Sequence, residues 1–213
     1  SYTVKPGATL LNLADGQVNS ITVSTSVTTT PVVRTPTTIA PAGTRQIVEP
    51  YTSSTTTQAS IATVSQGSTN QVILGMQVVC KSTLYPPNVT NFSFNTASLP
   101  ADISNAKVWY TGTSSTFATT TQFGATVASP SGAFAITGTQ ALNASAASTT
   151  NYFWLTFDVP ACATGGNTID AQCNSITVST SVTSTLIART PTAQNPAGTR
   201  SITDSYASST TTQ

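Results

Sequence analysis

The chain has 213 residues, only 6% of them charged, and seven Lys and Arg against six Asp and Glu give a formal charge of +1. This balance excludes nucleic acid and anionic membrane surfaces as primary partners, because both are bound through concentrated positive charge. Histidine is absent, which removes the usual general base near neutral pH and the commonest metal ligand, so we expect neither an enzyme nor a cofactor or metal site.

A long internal repeat organises the chain. Residues 19–58 return as residues 174–213 at an offset of 155 residues, with 28 of 40 positions identical. Upstream, the same offset matches Val4, Ala8, Thr9, Asn12, Asp15 and Gln17 with Val159, Ala163, Thr164, Asn167, Asp170 and Gln172. A period of this length is the size of a domain and predicts domains in tandem. Residues 1–18 are therefore predicted to be the tail of a preceding repeat.

Residues 19–65 are predicted to be a Thr-, Ser- and Pro-rich segment between repeats. Its four prolines would interrupt strands, as in a linker, whereas Ile21, Val23 and Val27 alternate with Thr and Ser, as in an extended strand. Both interpretations stay open. The recurrence of two arginines, a tyrosine and an acid in both copies favours strands that pair with a neighbouring domain or chain. In the first copy these residues are Arg34, Arg45, Tyr51 and Glu49, the last replaced by Asp204 in the second copy, and an ion pair is plausible among them.

Residues 66–180 are predicted to form one antiparallel β-sandwich, Ig-like or jelly-roll-like. Seven strand-like runs are separated by clusters of Pro, Gly, Asn and Ser, a spacing typical of sandwiches. The runs are Gln71 to Cys80, Val89 to Asn95, Ala106 to Thr111, Thr116 to Phe123, Ala133 to Thr139, Asn151 to Val159 and Ile176 to Val182. Alternation with a period of two predicts a core of Phe92, Phe94, Phe153, Leu155, Phe157 and Val159. Residues 142–148, rich in Ala, are the one place where a helical turn is plausible.

Residues 181–213 are predicted to begin the next inter-repeat segment. We expect the two Thr-rich segments, 19–65 and 174–213, to be ordered, extended and in contact with adjacent repeats or with other copies of the chain. Strands left alone would expose unpaired backbone groups and an apolar face, and pairing with a neighbour satisfies both.

Several stretches in the middle of the chain resemble a known family. GMQVVCKSTLYPPNVTNFSFNT, LPADISNAKVWYTGTSSTF and NYFWLTFDVP, together with QFGATV, ITGTQAL and GNTIDAQCNSITV, resemble the N-terminal domain associated with BNR-repeat sialidases of Bacteroidota. The same module resembles repeats of large secreted adhesin-like surface proteins. The resemblance covers about residues 70–180 and implies a non-catalytic β-sandwich outside the cell, usually exported by the type IX route, since the sialidase chemistry belongs to a separate propeller.

Three cysteines leave the disulfide pattern open, because an odd number in an extracellular chain leaves one unpaired or bonded between chains. Cys80 ends the first predicted strand and Cys173 leads into the last, and first and last strands are often neighbours in a sandwich. We therefore favour a Cys80–Cys173 bridge. A Cys162–Cys173 bridge and three free thiols remain alternatives.

Aromatic residues supply the only candidate ligand contacts. Trp109, Tyr152 and Trp154, with the neighbouring Tyr110, could form a stacking platform for sugars, which needs no charge, although core packing or contact between domains is commoner. No run of about 18 apolar residues predicts membrane insertion. The favoured function is a structural repeat of an extracellular adhesin or filament, which partners copies of itself or adjacent repeats. The alternative is a glycan-binding accessory module of a secreted glycosidase.

Overall fold

The computed structural model describes residues 12–23, 31–46, 49–82, 86–180 and 186–205. The chain divides into two compact units, Ser1–Glu49 and Pro50–Gln213. All regular secondary structure within the described ranges is β-strand, so the predicted all-β class is confirmed. Within the same ranges, no helix has the length and apolar character that crossing a bilayer requires.

The first unit contains two small antiparallel pairs of strands. Its strands are β1 (Leu13–Ala14), β2 (Ile21–Val23), β3 (Val32–Arg34) and β4 (Arg45–Gln46). Strand β1 pairs with β4, and β2 pairs with β3. The side chains of β2 and β3 are exposed along their whole length.

The second unit is built from longer strands. In chain order they are β5 (Tyr51–Gln58), β6 (Val64–Ser65), β7 (Gln71–Cys80), β8 (Pro87–Thr96), β9 (Ser104–Tyr110), β10 (Thr121–Val127), β11 (Gly132–Ala141), β12 (Thr149–Asp158), β13 (Thr168–Ile169), β14 (Gln172–Thr180), β15 (Leu186–Arg189) and β16 (Arg200–Thr203). A five-stranded antiparallel sheet has the order β10–β9–β12–β7–β5, and a four-stranded antiparallel sheet has the order β11–β8–β14–β15. A small third sheet has the order β13–β16–β6, and β16 pairs with β6 in parallel.

Aromatic side chains from the two large sheets meet in one core. Phe92 on β8 lies 5.0 Å from Phe153 on β12 and 5.2 Å from Phe123 on β10, measured between ring centroids. Phe134 on β11 lies 6.3 Å from Phe157 on β12. Burying one such ring contributes roughly 2–3 kcal/mol to stability. The two sheets therefore pack as a sandwich, as predicted.

The predicted core is confirmed in full. Phe92, Phe94, Phe153, Leu155, Phe157 and Val159 are all at most 1% exposed. Strand β7 has the predicted bounds, but β10 begins at Thr121 instead of Thr116. The predicted end of the last run, at Val182, lies outside the described residues. No helical turn forms at 142–148, because the Asn151 side chain accepts a hydrogen bond from the backbone of Asn143 and donates one to its carbonyl, holding this segment as a loop.

The predicted boundary of the sandwich, 66–180, is too narrow. Strands β5 and β6 come from the segment 19–65 that was assigned between repeats, and β5 forms one edge of the five-stranded sheet. Strands β15 and β16 come from the segment 181–213 that was assigned to the next inter-repeat region. Residues 186–205 thus complete the same sandwich as residues 51–180. The physical reason is pairing: β15 continues the sheet from β14, and β16 is held by β6 and β13.

Candidate functional site

The two copies of the repeat adopt the same strand pairing. In the first copy, Ile21 pairs with Arg34 and Val23 with Val32. At the offset of 155 residues, Ile176 pairs with Arg189 and Val178 with Ile187. The pairings Leu13–Gln46 and Ala14–Arg45 return in the same way as Thr168–Ser201 and Ile169–Arg200. The described strands of the first copy therefore pair in the same register as their counterparts in the second copy, also where the side chains differ.

Hydrogen bonds outside the strands repeat as well. The Asp15 carboxylate accepts from the Gly16 amide at 2.7 Å, and the Asp170 carboxylate accepts from the Ala171 amide at 2.8 Å. Gln17 donates to Asn19 as Gln172 donates to Asn174. The backbone bond from Val18 to Ile39 returns as the bond from Cys173 to Gln194, each at 2.9 Å. The repeat is thus a structural repeat as well as a sequence repeat.

The two copies differ in what covers them. Ile21 and Val23 are 52% and 50% exposed, whereas their counterparts Ile176 and Val178 are 0% and 4% exposed. In the second copy, β14 pairs with β15 along one edge and with β8 along the other, where Ile176 lies opposite Phe92. Within the described residues, β2 pairs with β3 alone. The first copy consequently presents an apolar surface that the second copy buries.

The recurring arginines act through carbonyl groups and a ring. Arg200 is buried, and its guanidinium donates to the carbonyls of Ala62 and Val72 at 2.8 and 2.9 Å. The guanidinium of Arg189 lies 4.9 Å above the centre of the Tyr51 ring. Arg45, the counterpart of Arg200, is exposed. The acid of the second copy, Asp204, accepts a hydrogen bond from Gln66. These are the contacts that the structure shows for Arg189, Arg200 and Asp204, and the ion pair among the recurring residues stays a prediction.

The chain enters and leaves the sandwich at opposite ends. Tyr51, the first residue of β5, pairs with Cys80, which in turn pairs with Thr149 at the start of β12. At the other end of the domain, Ser205 donates its amide to Gln66. Two residues further on, the Ser68 carbonyl accepts from Val159, directly after β12 ends. The ten residues of β12 therefore separate the two ends by about 30 Å.

One domain spans one period of the repeat. Counting 155 residues from Tyr51, the first residue of β5, ends at Ser205. The sequence of β5, YTSSTTTQ, returns as YASSTTTQ at 206–213, which lies outside the described residues. The sequence shows the period but not the domain boundaries, because a period alone does not show where each unit begins.

The predicted aromatic residues lie together on the outer face of the five-stranded sheet. Trp109 on β9 pairs directly with Trp154 on β12. The rings of Tyr152 and Trp154 are 6.5 Å apart with an angle of 15° between their planes. All three side chains are half-buried. Tyr110 points the other way and is buried, donating to the Asn151 side chain at 2.7 Å, so it does not belong to this face.

Internal contacts already use part of each tryptophan. The indole nitrogen of Trp154 donates to Thr111, and that of Trp109 donates to Thr156, each at 3.0 Å. The Trp154 ring lies against Gly75, where an added Cβ would be 3.3 Å from ring carbon Cζ3. The Trp154 ring also meets Phe117, with 6.0 Å between ring centroids. In the part of the chain that the structure describes, the remaining ring faces and the Tyr152 hydroxyl are left for a ligand. Beside this face, Thr111, Ser114, Thr116 and other residues of the loop after β9 line an open depression of about 400 Å³.

An ion pair lies on the same outer face. Lys107 lies 3.0 Å from Asp158, and Asp158 also accepts hydrogen bonds from the Asn70 amide and the Asn105 side chain. Burial alone would raise the pKa of Asp158, but these hydrogen bonds and the Lys107 charge outweigh burial and lower the pKa below its usual value. The carboxylate therefore stabilises the fold in its charged form.

The favoured disulfide is not formed, and Cys80, Cys162 and Cys173 are free thiols. Cys80 pairs with Thr149, at the start of β12. Cys173 pairs with Phe94, whose ring contacts Phe134, which contacts Phe157 near the end of β12. Cys173 also lies against Thr56, which pairs with Met76, four residues and about 13 Å along β7 from Cys80, whereas bridged cysteines need Cα atoms within about 7 Å. Burial raises the pKa of the Cys173 thiol to about 12, so this thiol stays protonated.

Comparison with known proteins gives a distant structural likeness. No protein-family model and no curated protein matches the sequence. Among solved structures, a protein described as "Hadza microbial sialidase Hz136" aligns with a TM-score of 0.43 and 12% identity, over 62% of this chain and 30% of that chain. A weak structural neighbour is therefore a sialidase, of which the match spans less than a third, and at this TM-score it carries no functional conclusion. Among the described residues, no group of three or more His, Cys, Asp or Glu side chains is placed to hold a metal ion.

Proposed function

We propose that the chain is a non-catalytic structural repeat of an extended extracellular stalk or filament that serves adhesion. The observation that carries this proposal is the position of the chain ends: one period of the repeat spans one sandwich, which the chain enters at Tyr51 and leaves about 30 Å away at Ser205. Domains joined in this way add length with each repeat.

The short connection between repeats supports the same proposal. The last pairing of the first copy ends at Gln46, and β5 begins at Tyr51. The Pro50 carbonyl already accepts a hydrogen bond from the Lys81 amide at 2.7 Å. Few residues are therefore left to act as a flexible linker, and a chain of such domains is expected to be stiff.

Small-angle X-ray scattering tests this proposal. The full chain is compared with chains that carry one and two further copies of residues 51–205 at the same register. We expect the maximum dimension to rise by about 30–40 Å per added copy. A control with a flexible Gly-Ser linker of about ten residues inserted after Glu49 should bend and scatter as a more compact particle. A maximum dimension that barely increases with added copies would contradict the proposal.

A second candidate function, glycan binding, is favoured by the aromatic outer face. Trp109, Tyr152 and Trp154 group on one sheet surface, and the adjoining depression is lined by hydroxyl groups of the loop after β9. Ring faces with nearby hydroxyls and little charge suit neutral sugars, which stack on aromatic side chains.

Glycan-array binding by the Tyr152→Ala variant tests this second function. Tyr152 is preferred to Trp154 because Trp154 packs on Gly75 and its removal would also disturb the sheet. Loss of a glycan signal in this variant, with the signal kept in Leu99→Ala, an exposed apolar residue outside the aromatic face, would support glycan binding. Equal glycan signals in both variants, or no signal in the unmodified protein, would reject glycan binding by this face and leave the structural function as the sole proposal.

A further inference from the structure

The exposed surface of the first copy has a known cover in the second copy. Cys173, Ile176 and Val178 are at most 4% exposed because β14 pairs with β8 and faces the five-stranded sheet. Their counterparts Val18, Ile21 and Val23 are each at least 50% exposed. Val18, Ile21 and Val23 thus form an apolar stripe that is exposed in the first copy, while the matching stripe of the second copy is buried.

We propose that residues 12–46 are a docking module that closes a second sandwich of this fold. The occupant of the apolar stripe is the opening part of that sandwich, equivalent to residues 51–166, one repeat upstream. This inference rests on the proposed tandem arrangement. It adds the surface of contact and the register: the strand equivalent to β8 pairs with the free edge of β2, opposite β3.

The register follows from the second copy. Ile176 pairs with Phe92 and Val178 with Val89, so Ile21 and Val23 would meet the residues that correspond to Phe92 and Val89. Arg45 has the same backbone pairing as its counterpart Arg200. Arg200 donates to the carbonyls of Ala62 and Val72, so Arg45 would meet the corresponding carbonyls of the second sandwich. An uncovered stripe of this kind is unfavourable in water, because each half-exposed Ile or Val forgoes part of its burial energy and, among the described strands, β2 is paired along one edge only.

The docking is tested by thiol reactivity at matched positions. Val18 is the counterpart of Cys173, so the Val18→Cys variant carries a thiol at the same place in the first copy. The Cys162→Ser background removes the exposed native thiol. This variant is compared with an extended chain in which residues 51–166 are placed directly before Asn12. Alkylation is followed by mass spectrometry of the peptides that contain residues 18 and 173.

In the unextended chain we expect the thiol at position 18 to react at least about 100-fold faster than Cys173. In the extended chain it should become as slow as Cys173, because the added strands cover it. Introducing Phe92→Asp and Phe94→Asp in the added strands alone should restore fast alkylation, since these two changes remove the covering apolar face.

Three results would overturn the docking. Fast alkylation at position 18 in the extended chain would overturn it. This holds even if the added strands are unfolded, because the only closing strands available to them are those of residues 12–46. Protection that depends on protein concentration in the unextended chain would mean that a second copy covers the stripe instead. Scattering of the extended chain tests the proposed stalk separately. A longer particle with a reactive thiol at position 18 would support the stalk and reject the docking. A compact particle with a protected thiol at position 18 would support the docking and reject the stalk.

Discussion

Residues 12–46 and residues 167–201 have the same strand pairing but opposite surroundings. Ile21 and Ile176 both lie opposite an arginine in a two-stranded pairing, yet the first is 52% exposed and the second is fully buried. The comparison shows that the strand pairings and the Asp15 and Asp170 contacts recur in both copies although their surroundings differ. Burial is decided by whether β8 and the five-stranded sheet are present.

The largest expected effect comes from the buried apolar stripe. Ile176→Ala should lower the free energy of unfolding of the sandwich by about 2–5 kcal/mol, because it leaves a cavity against β8. Ile21→Ala should change it by less than about 0.5 kcal/mol. Both are measured by denaturant titration followed by far-UV circular dichroism, which reports the strands of both copies. Equal losses in the two variants would mean that the first copy is covered too.

The next effect separates Arg200 from Arg45. Arg200→Ala should cost roughly 2–3 kcal/mol, because it removes the hydrogen bonds that the buried, charged guanidinium of Arg200 donates to the carbonyls of Ala62 and Val72. Arg45→Ala should be nearly neutral, because Arg45 is exposed. The same titration measures both. A neutral Arg200→Ala variant would show that water replaces the guanidinium and that the buried arginine is not needed to hold β16.

A smaller effect depends on pH and is confined to the sandwich. The lowered pKa of Asp158 means that its contribution is present above the carboxyl pKa of the unfolded chain, and is lost as the pH falls through the folded value. Asp158→Asn should therefore cost about 1–2 kcal/mol at pH 7 and much less near pH 2. Thermal unfolding from pH 7 to pH 2 measures this difference. A constant difference across that range would rule out a role for the Asp158 charge.

The smallest effect concerns a contact that both copies share. Burial raises the pKa of Asp170, while the Ala171 amide opposes this change. A raised pKa favours the fold at low pH and loses that advantage as the pH rises through the folded value. Asp170→Asn should consequently change stability at pH 7 by less than about 1 kcal/mol, with a pH dependence opposite to that of Asp158→Asn. Amide exchange at Gly16 in Asp15→Asn and at Ala171 in Asp170→Asn compares the copies, and protection lost in only one would show that the shared turn differs.

Sequence was most informative where apolar residues alternate. The bounds of β7 and the burial of Phe153 and Phe157 could be predicted because each strand has one face in the core. Strands β5 and β16 could not, since β5 is almost entirely Ser and Thr and gains its place by pairing with β7. The role of Arg200 depends on carbonyls more than 120 residues away in the sequence, which no local pattern reveals.

The candidate sites were predictable to different degrees. Alternation placed Tyr152 and Trp154 on one face, because residues two apart on a strand share a face. Trp109 joins them by pairing with Trp154 across two strands, which alternation within one strand does not reveal. The disulfide prediction was wrong because the order of strands in a sandwich does not specify which ends of those strands meet. The repeat boundary was misplaced for a related reason, since any cut of a periodic sequence gives the same period.

The positions of the chain ends also determine how the domain would respond to a pulling force. Tension between successive repeats would act at Tyr51 and near Ser205, and β5 runs along this direction while it pairs with β7 from Tyr51 to Gln58. The backbone hydrogen bonds of that pair would resist in shear, all together, instead of opening one by one from an end. Forced unfolding depends on the unfolding rate, so this arrangement would favour slow rupture with few charged residues involved.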